Sequence, residues 1–429
     1  MKKCFAVLLS LTLACALCLS LAEADGAALY AQGDAAFLVQ DYEKALEYWS
    51  AAAETGNADA LHNLGWMYEH GVGVEPDYEK AWDYYAKAAE LGNELSYYGL
   101  GLMSFDGKGV EQSYERAFEF LAVSAEMGSY AAYEFIGELY LDGLGVEQND
   151  EKAADYFLKA VELGDTEEAQ AYFDQMVAEG KVPADYTPDP DTDPLCELGK
   201  IAYEAEDYAK AAECFRMAAK LGIRRGLYNM GVLYQYGTGV EQSSEKALEY
   251  YQLAADLGFS RAQYNLGVLY TNGIGVEQNL EKAAEYFQLA ADQGLKEAQH
   301  NLAYLYVNGL GVEQSYEKAA AYCQLAADQG LAEAQYNLGI LYVNGLGVEQ
   351  SYEKALAYWT QAAEQGYAGA YETIGEMYRD GLAVAQSYEK AADYFLKAVE
   401  LGETQKAQAY FDQLVEEGKI PADYTPNEI

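Results

Sequence analysis

Positive charge is scarce in this sequence. Its 429 residues carry 27 Lys and Arg against 70 Asp and Glu, a formal net charge of −43. A field of that sign repels nucleic-acid phosphates and anionic membrane surfaces, which argues against either as a partner. Histidine is nearly absent: His62, His70 and His300 are the three, and none has the spacing to Cys, Ser or Asp that a metal site or a catalytic triad needs. No stretch after residue 24 is apolar enough to span a bilayer, so the mature chain is not expected to insert in a membrane. Six Cys are present, and Cys4, Cys15 and Cys18 fall in the first 24 residues. The remaining Cys196, Cys214 and Cys323 are an odd number, which rules out a full disulfide framework and leaves open one Cys196–Cys214 bridge across a hairpin. No Asn is followed by the x-Ser/Thr acceptor pattern, in agreement with a bacterial exported protein.

The N-terminus has the pattern of an export signal. Lys2 and Lys3 precede an apolar run from Phe5 to Leu21, and Ala22-Glu23-Ala24 fits cleavage before Asp25. A lipid anchor at Cys15 is disfavoured, because the Leu usual three residues upstream is missing. Residues 1–24 therefore read as a signal peptide, and the expected location is secreted, periplasmic or in the cell envelope.

What the chain has in quantity is one sentence repeated. Gly309-Leu310-Gly311-Val312-Glu313-Gln314-Ser315-Tyr316-Glu317-Lys318-Ala319 recurs from Gly71, Gly107, Gly143, Gly237, Gly273 and Gly345, with a worn copy from Gly381. Within each run the step is 36 residues without slippage, the mark of a solenoid. Upstream of each copy, apolar residues such as Ala334, Leu338, Leu341 and Tyr342 have helical spacing. The first loop Gly can take the left-handed conformation that ends a helix, and the second permits close approach of backbone. Ser315, like Asp77, Asn149 and Asn279 in sister copies, suits a helix N-cap, and the Glu after it suits the positive helix end. Ala319, Tyr322, Ala326 and Ala327 share a face of the second helix. Each repeat is thus a helical hairpin with an ordered loop. A phosphate-binding Walker loop would need Lys-Ser/Thr directly after its last Gly, where this chain has Val-Glu.

Two arrays follow from the register. A short starter hairpin, Gly33 to Gly56, leads into three long-loop repeats and a terminal segment ending in Val182-Pro183-Ala184-Asp185-Tyr186. Four of the seven Pro lie between Pro183 and Pro194, which marks a stiff extended connection. Its alternating Asp residues resemble a calcium loop, but Pro194 stands where the turn Gly belongs and Lys200 where the last Glu belongs. The pattern then restarts: Gly199 to Gly222 copies the starter hairpin, five long-loop repeats follow, and Glu389 to Gly402 matches Glu151 to Gly164 residue for residue. The expected organisation is a signal peptide 1–24, a first array 25–187, a linker 188–194 and a second array 195–429. Atypical end repeats are expected, since an end must shield its last apolar face.

The run Ala334-Gln335-Tyr336-Asn337-Leu338-Gly339-Ile340-Leu341-Tyr342, then Gly345-x-Gly347-Val348, Lys354-Ala355 and Ala362-Ala363, resembles the Sel-one-like repeat (SLR) family, a long-loop relative of the tetratricopeptide repeat. The resemblance spans nearly all of the mature chain. It implies an all-α, right-handed α-solenoid of stacked helical hairpins and a scaffold or adaptor role, with protein or peptide partners held on the superhelix. Some secreted relatives bear a disulfide in every repeat and are linked to β-lactam binding; the paired Cys are missing here, so that activity is not carried over.

The expected function is an exported, non-catalytic scaffold that binds a protein or extended peptide, with no cofactor and no metal. The expected surface is the concave face of the second array. Asn229, Asn265, Asn301 and Asn337 recur there at 36-residue spacing beside Tyr228, Tyr264, His300 and Tyr336, and Arg225 and Arg261 add positive charge. An Asn row can grip peptide backbone without reading its sequence, aromatic neighbours add contact area, and the Arg pair can anchor a carboxylate. In the competing structural role, the same Asn residues tie neighbouring helices together. The first array keeps only Asn63, with Gly99 and Phe135 in the later slots. The alternative functional class is an exported enzyme or small-molecule binder with a site where the two arrays join.

Overall fold

The computed structural model describes residues 26–164, 167–189, 192–402 and 405–427. The signal-peptide reading at 1–24 lies outside the described residues, as do residues 190 and 191 of the Pro-rich connection. Every regular element among the described residues is a helix, 22 in all. Helices α1 (residues 26–38) and α2 (Tyr42–Glu54) form the first starter hairpin. Three long-loop hairpins follow, α3 (Ala58–His70) with α4 (Tyr78–Glu90), α5 (Glu94–Asp106) with α6 (Tyr114–Glu126), and α7 (Tyr130–Asp142) with α8 (Asp150–Gly164), closed by α9 (Glu167–Ala178). The second starter is α10 (Pro194–Glu204) with α11 (Tyr208–Lys220). Five long-loop hairpins then run α12 (Arg224–Tyr236) with α13 (Ser244–Asp256), α14 (Ser260–Asn272) with α15 (Leu280–Asp292), α16 (Lys296–Asn308) with α17 (Tyr316–Asp328), α18 (Ala332–Asn344) with α19 (Tyr352–Glu364), and α20 (Ala368–Asp380) with α21 (Tyr388–Glu400). Helix α22 (Gln405–Glu416) ends the chain's regular structure. The first helix of each long-loop hairpin is called A below and the second B. Two compact units divide between Gly222 and Ile223. Within each, a helix packs mainly on its neighbours in sequence, the arrangement of an α-solenoid.

The loop that repeats in sequence is the joint of the stack. Helix α16 ends at Gly309, whose φ of 63° is left-handed and whose N–H donates to the Leu305 carbonyl. The Gln314 side chain donates to the Val307 carbonyl at 2.7 Å and so occupies another acceptor of the helix end. Ser315 then caps α17 by accepting from the Lys318 N–H. Between these, Gly311 has φ 67°, and a Cβ there would stand 2.1 Å from the Leu280 carbonyl oxygen at the start of the preceding B helix. The loop of one repeat is therefore seated on the helix start of the repeat before it. The worn copy keeps the backbone without the residue: Ala383 takes φ 58°.

A second use of glycine sits inside each hairpin. A Cβ on Gly267 of α14 would meet the Phe287 ring at 2.5 Å, and one on Gly339 of α18 would meet Trp359 at 2.3 Å. Most A helices thus give up a side chain so that the B helix can bury a ring; in α5 the glycine, Gly101, faces Leu121 instead. One repeat reverses the exchange, with Ala303 in the Gly slot and Cys323 in the ring slot, both buried in one cluster. Cys196, Cys214 and Cys323 are buried thiols outside any disulfide, so no bridge crosses the second starter hairpin. Burial pushes the Cys214 and Cys323 thiols up to about 12.

The abundant tyrosines are largely consumed by stacking. Lys318 lies 5.0 Å over Tyr306, Tyr306 stacks on Tyr322 at 6.0 Å, and the Tyr322 hydroxyl donates to Gln288 of the preceding repeat at 2.9 Å. The same ladder runs through Lys282, Tyr270, Tyr286 and Gln252, and through Lys354, Tyr342, Tyr358 and Gln324.

The two array ends are built alike. Asp393, 4% exposed, accepts from the Tyr424 hydroxyl at 2.6 Å and the Asn427 N–H at 3.0 Å. Asp155 does the same with Tyr186 at 2.8 Å and Asp189 at 3.0 Å, and adds Thr192 at 3.1 Å. Beyond that lock the chain does not leave the first unit: Asp193 caps α10, Pro194 is its first residue, and α10 packs on α6. Lys152 of α8 pairs with Glu197, and Lys210 of α11 pairs with Glu119 of α6.

The Ala303/Cys323 exchange is testable as a double-mutant cycle. Cys323→Phe alone should lower stability by about 1–3 kcal/mol through overpacking. Ala303→Gly in the same chain should recover most of that loss, although Gly alone costs roughly 1 kcal/mol in a helix. Additive effects in urea unfolding would show that the two positions do not share a volume.

Candidate functional site on the A-helix face

The A helices of the second unit carry all ten residues of the expected binding surface. Tyr228 and Asn229 lie on α12, Tyr264 and Asn265 on α14, His300 and Asn301 on α16, Tyr336 and Asn337 on α18, and all eight are half-buried. Residues three or four apart share a helix face, so each pair belongs to one surface with Val232, Val268, Tyr304 and Ile340 beside it.

The rows are joined across repeats. Asn337 Nδ2 and His300 Nε2 lie 2.9 Å apart. Asn301 is within hydrogen-bonding reach of Tyr264, and Asn265 of both Tyr228 and Tyr251. Each of these Asn side chains therefore reaches back to the ring of the preceding repeat, and Asn63 reaches Tyr30 likewise in the first unit. The rings are held by further aromatics, Tyr228 at 5.1 Å from Phe259 and Tyr336 at 5.0 Å from Tyr367. An Asn amide has two donors and an acceptor, so one tie leaves the group capable of a second bond.

Arg225 is half-buried and engaged within the protein, whereas Arg261 is exposed and close enough to Tyr228 to act on it electrostatically. The sign changes along the face: Glu297 and Glu333 occupy the slots of Arg225 and Arg261 in the next two repeats. At the far end Glu372 replaces the aromatic, and Lys406 of α22 pairs with Glu372 at 2.6 Å and Glu376 at 2.8 Å. The row counted from sequence missed this clamp and the exposed Tyr236 and Tyr304; a 36-residue step from Tyr336 and from Val268 reaches Glu372 and Tyr304 directly.

His62 and His300 stand in the slot that holds Tyr in sister repeats, and both are half-buried. His62 Nδ1 lies 2.9 Å from Ser96 Oγ in the next repeat, and its ring is 5.3 Å from Tyr85. Desolvation lowers the pKa of His62 to about 4 and lowers that of His300 too, so both imidazoles stay neutral in the folded chain near pH 7.

No group of three or more His, Cys, Asp or Glu among the described residues is placed to hold a metal ion. Beside the Pro-rich connection, a cavity of about 300 Å³ is bordered by Lys152, Asp155, Tyr156 and Tyr186. Burial raises the Asp155 pKa, against the donors that hold its two oxygens. The same lock recurs at Asp393, held by Tyr424 and Asn427, so the arrangement belongs to both arrays and is not peculiar to the Pro-rich connection.

The Sel1 repeat model matches residues 20–57, 58–93, 95–129, 131–165, 196–223, 225–259, 260–295, 296–331, 332–367 and 370–403. The chain belongs to the Sel1 repeat family. Among solved structures, it is similar to a protective antigen of uropathogenic Escherichia coli displaying an SLR fold, at 28% identity over 94% of this chain and 89% of that one, with a TM-score of 0.46. It is also similar to a Sel1 repeat protein from Oxalobacter formigenes, at 24% identity over 86% and 89% of the two chains, with a TM-score of 0.43. A short stretch of 43 residues is 51% identical to the ERAD-associated E3 ubiquitin-protein ligase component HRD3 of Candida glabrata, covering 10% of this chain and 5% of that protein. As a Sel1 repeat protein, the chain belongs to a class that typically mediates protein–protein interaction.

The buried imidazole of His62 makes the first unit acid-sensitive. Its folded pKa lies below the usual 6.5, so the stability it permits is full above pH 6.5 and is lost as pH falls toward 4. His62→Tyr installs the residue that Tyr98 supplies in the next repeat. It should narrow the stability gap between about pH 7.5 and pH 5 by roughly 1–2 kcal/mol. An unchanged gap in thermal unfolding would place the ring in water.

Proposed function

We propose that this Sel1 repeat chain is an exported, non-catalytic scaffold that binds a protein or extended peptide along the A-helix face of its second unit. The observation that carries the reading is the unbroken Asn and aromatic rows on α12, α14, α16 and α18. Helices packed about 8–10 Å apart present such groups at a pitch an extended backbone can follow. The Asn side chains keep hydrogen-bonding capacity after their ties to Tyr228, Tyr264 and His300, and Val268, Tyr304 and Ile340 offer apolar contact beside them. Arg261 attracts a carboxylate at one end of the face. Glu297 and Glu333 favour a cationic group further along, so a bound peptide would be oriented. Export rests on the N-terminal pattern Lys2-Lys3, the apolar run and Ala22-Glu23-Ala24. In the first unit the row stops after Asn63, which favours the second unit as the peptide site and leaves the first to bind differently or not at all.

The test is an Asn265→Ala/Asn301→Ala chain, with partners of the wild-type protein captured from the source cell envelope and identified by mass spectrometry. Loss of those identified partners, with melting changed by less than about 1 kcal/mol, supports the groove. Retained partners with a large fall in melting temperature would make the Asn row a structural tie and overturn the assignment.

A further inference from the structure

The B helices of the second unit carry a face that the first unit uses for helix docking. In α6, Val123 is 6% exposed and Ala122 fully buried, and α10 packs on that helix. Counted from the loop glycine that precedes each B helix (Gly107 for α6), the Val123 slot holds Leu253 in α13, Leu289 in α15 and Leu325 in α17, while α4, α8 and α21 carry Lys87, Lys159 and Lys397 there. The three Leu are 46%, 49% and 49% exposed. The apolar slot is thus buried in α6, on which α10 packs, and open in α13, α15 and α17. The fourth copy, α19, has Gln361 in this slot.

The polar groups around the slot correspond as well. Glu119 of α6 pairs with Lys210 of the docked hairpin, and Glu249 and Glu285 stand in its place on α13 and α15. Glu126, at the end of α6, is replaced there by Asp256, Asp292 and Asp328. In the covered copy, burial pushes the Glu126 carboxyl up to about 8 and one of its oxygens has no hydrogen-bond partner. On the open copies each Asp is exposed and accepts from Gln252, Gln288 or Gln324 at 2.6–2.8 Å. Covering these carboxylates with anything but a cationic element would leave three charges desolvated.

We propose that Leu253, Leu289 and Leu325, flanked by Glu249, Glu285, Asp256, Asp292 and Asp328, form a second docking surface whose occupant is a basic amphipathic helix of a partner protein. The α10–α11 hairpin is the in-chain pattern for that occupant, an apolar helix face with a lysine directed at the Glu119 slot. A second copy of this chain does not fit, because its net charge is −43. A helix laid across the B helices would meet a Leu every 10 Å or so. At about 1.5 Å rise per residue that is roughly every seventh residue, so the occupant carries apolar residues two turns apart with Lys or Arg between them. This surface is on the opposite helices of the hairpins from the peptide face and does not depend on it. A chain with both would bridge two partners.

The experiment uses the full chain and a labelled synthetic helix of about 20 residues, with Leu at every seventh position and Lys on its flanks, read by fluorescence anisotropy at about 150 mM salt. The variant is Leu253→Gln/Leu289→Gln/Leu325→Gln, which copies Gln361 and leaves every charge in place. The expected result is at least a ten-fold loss of binding by the variant with unchanged melting. The Asn265→Ala/Asn301→Ala chain should bind the helix as wild type does, so failure of the peptide groove is distinguishable from failure of this surface. Equal binding by the Gln variant would reduce the interaction to bulk charge and overturn the proposal. Equal binding of a helix with Glu in place of Lys would overturn the partner's chemistry. A large fall in melting for the Gln variant, or a change in its sedimentation showing self-association through this face, would also overturn it.

Discussion

The stack depends on backbone meeting backbone where side chains would normally keep them apart. At Gly311 and Gly347 the loop of one repeat rests on the first carbonyl of the preceding B helix, with room for no Cβ. That contact fixes how far each hairpin advances on the last, because backbone positions are set by the helices and cannot adjust as a flexible side chain can. The 36-residue period follows, since any inserted residue would lift the loop glycine off its seat. The Gly and ring exchange inside most hairpins works in the same way, setting how closely A approaches B.

With the spacing held by backbone, the polar side chains are available to join one repeat to the next. Tyr322 to Gln288 on the B helices, and Asn337 to His300 on the A helices, are ties of this kind at part-buried positions. Their regularity explains how one residue type can recur in register through ties between repeats. It also explains the economy of cations. Several of the few lysines lie over tyrosines or close a terminal clamp, as Lys406 does on Glu372 and Glu376. The surface left over is acidic, and its field attracts cationic groups and repels anionic ones.

Much of this was legible in the sequence. The loop glycines, the N-caps and the hairpin register were readable because each rests on a local rule about φ, capping or helical period, and Gly309, Gly311 and Ser315 behave accordingly. Other features were hidden because they depend on which helix lies on which. The docking of α10 on α6 could not be read from Val123 alone, and nothing local to Asp155 announces its lock. Only the match of Glu151–Gly164 with Glu389–Gly402 hinted that both ends share a cap. The half-burial of His62 and His300 was hidden as well, because period counting assigns a face but not the neighbour that covers it. On the candidate site, sequence gave the rows, and the structure added that each Asn reaches back one repeat.

The most direct test of the central constraint is hydrogen exchange on Gly311→Val. A β-branched residue at φ 67° is strained by about 1–3 kcal/mol before any clash with Leu280 is counted. The account predicts a lower melting temperature for the second unit and faster exchange at Lys282 and Ala283, whose amides donate to Asn279 at the start of α15, a helix the mutation does not touch in sequence. Unchanged melting with protected α15 amides would show that the loop does not hold the preceding repeat in place.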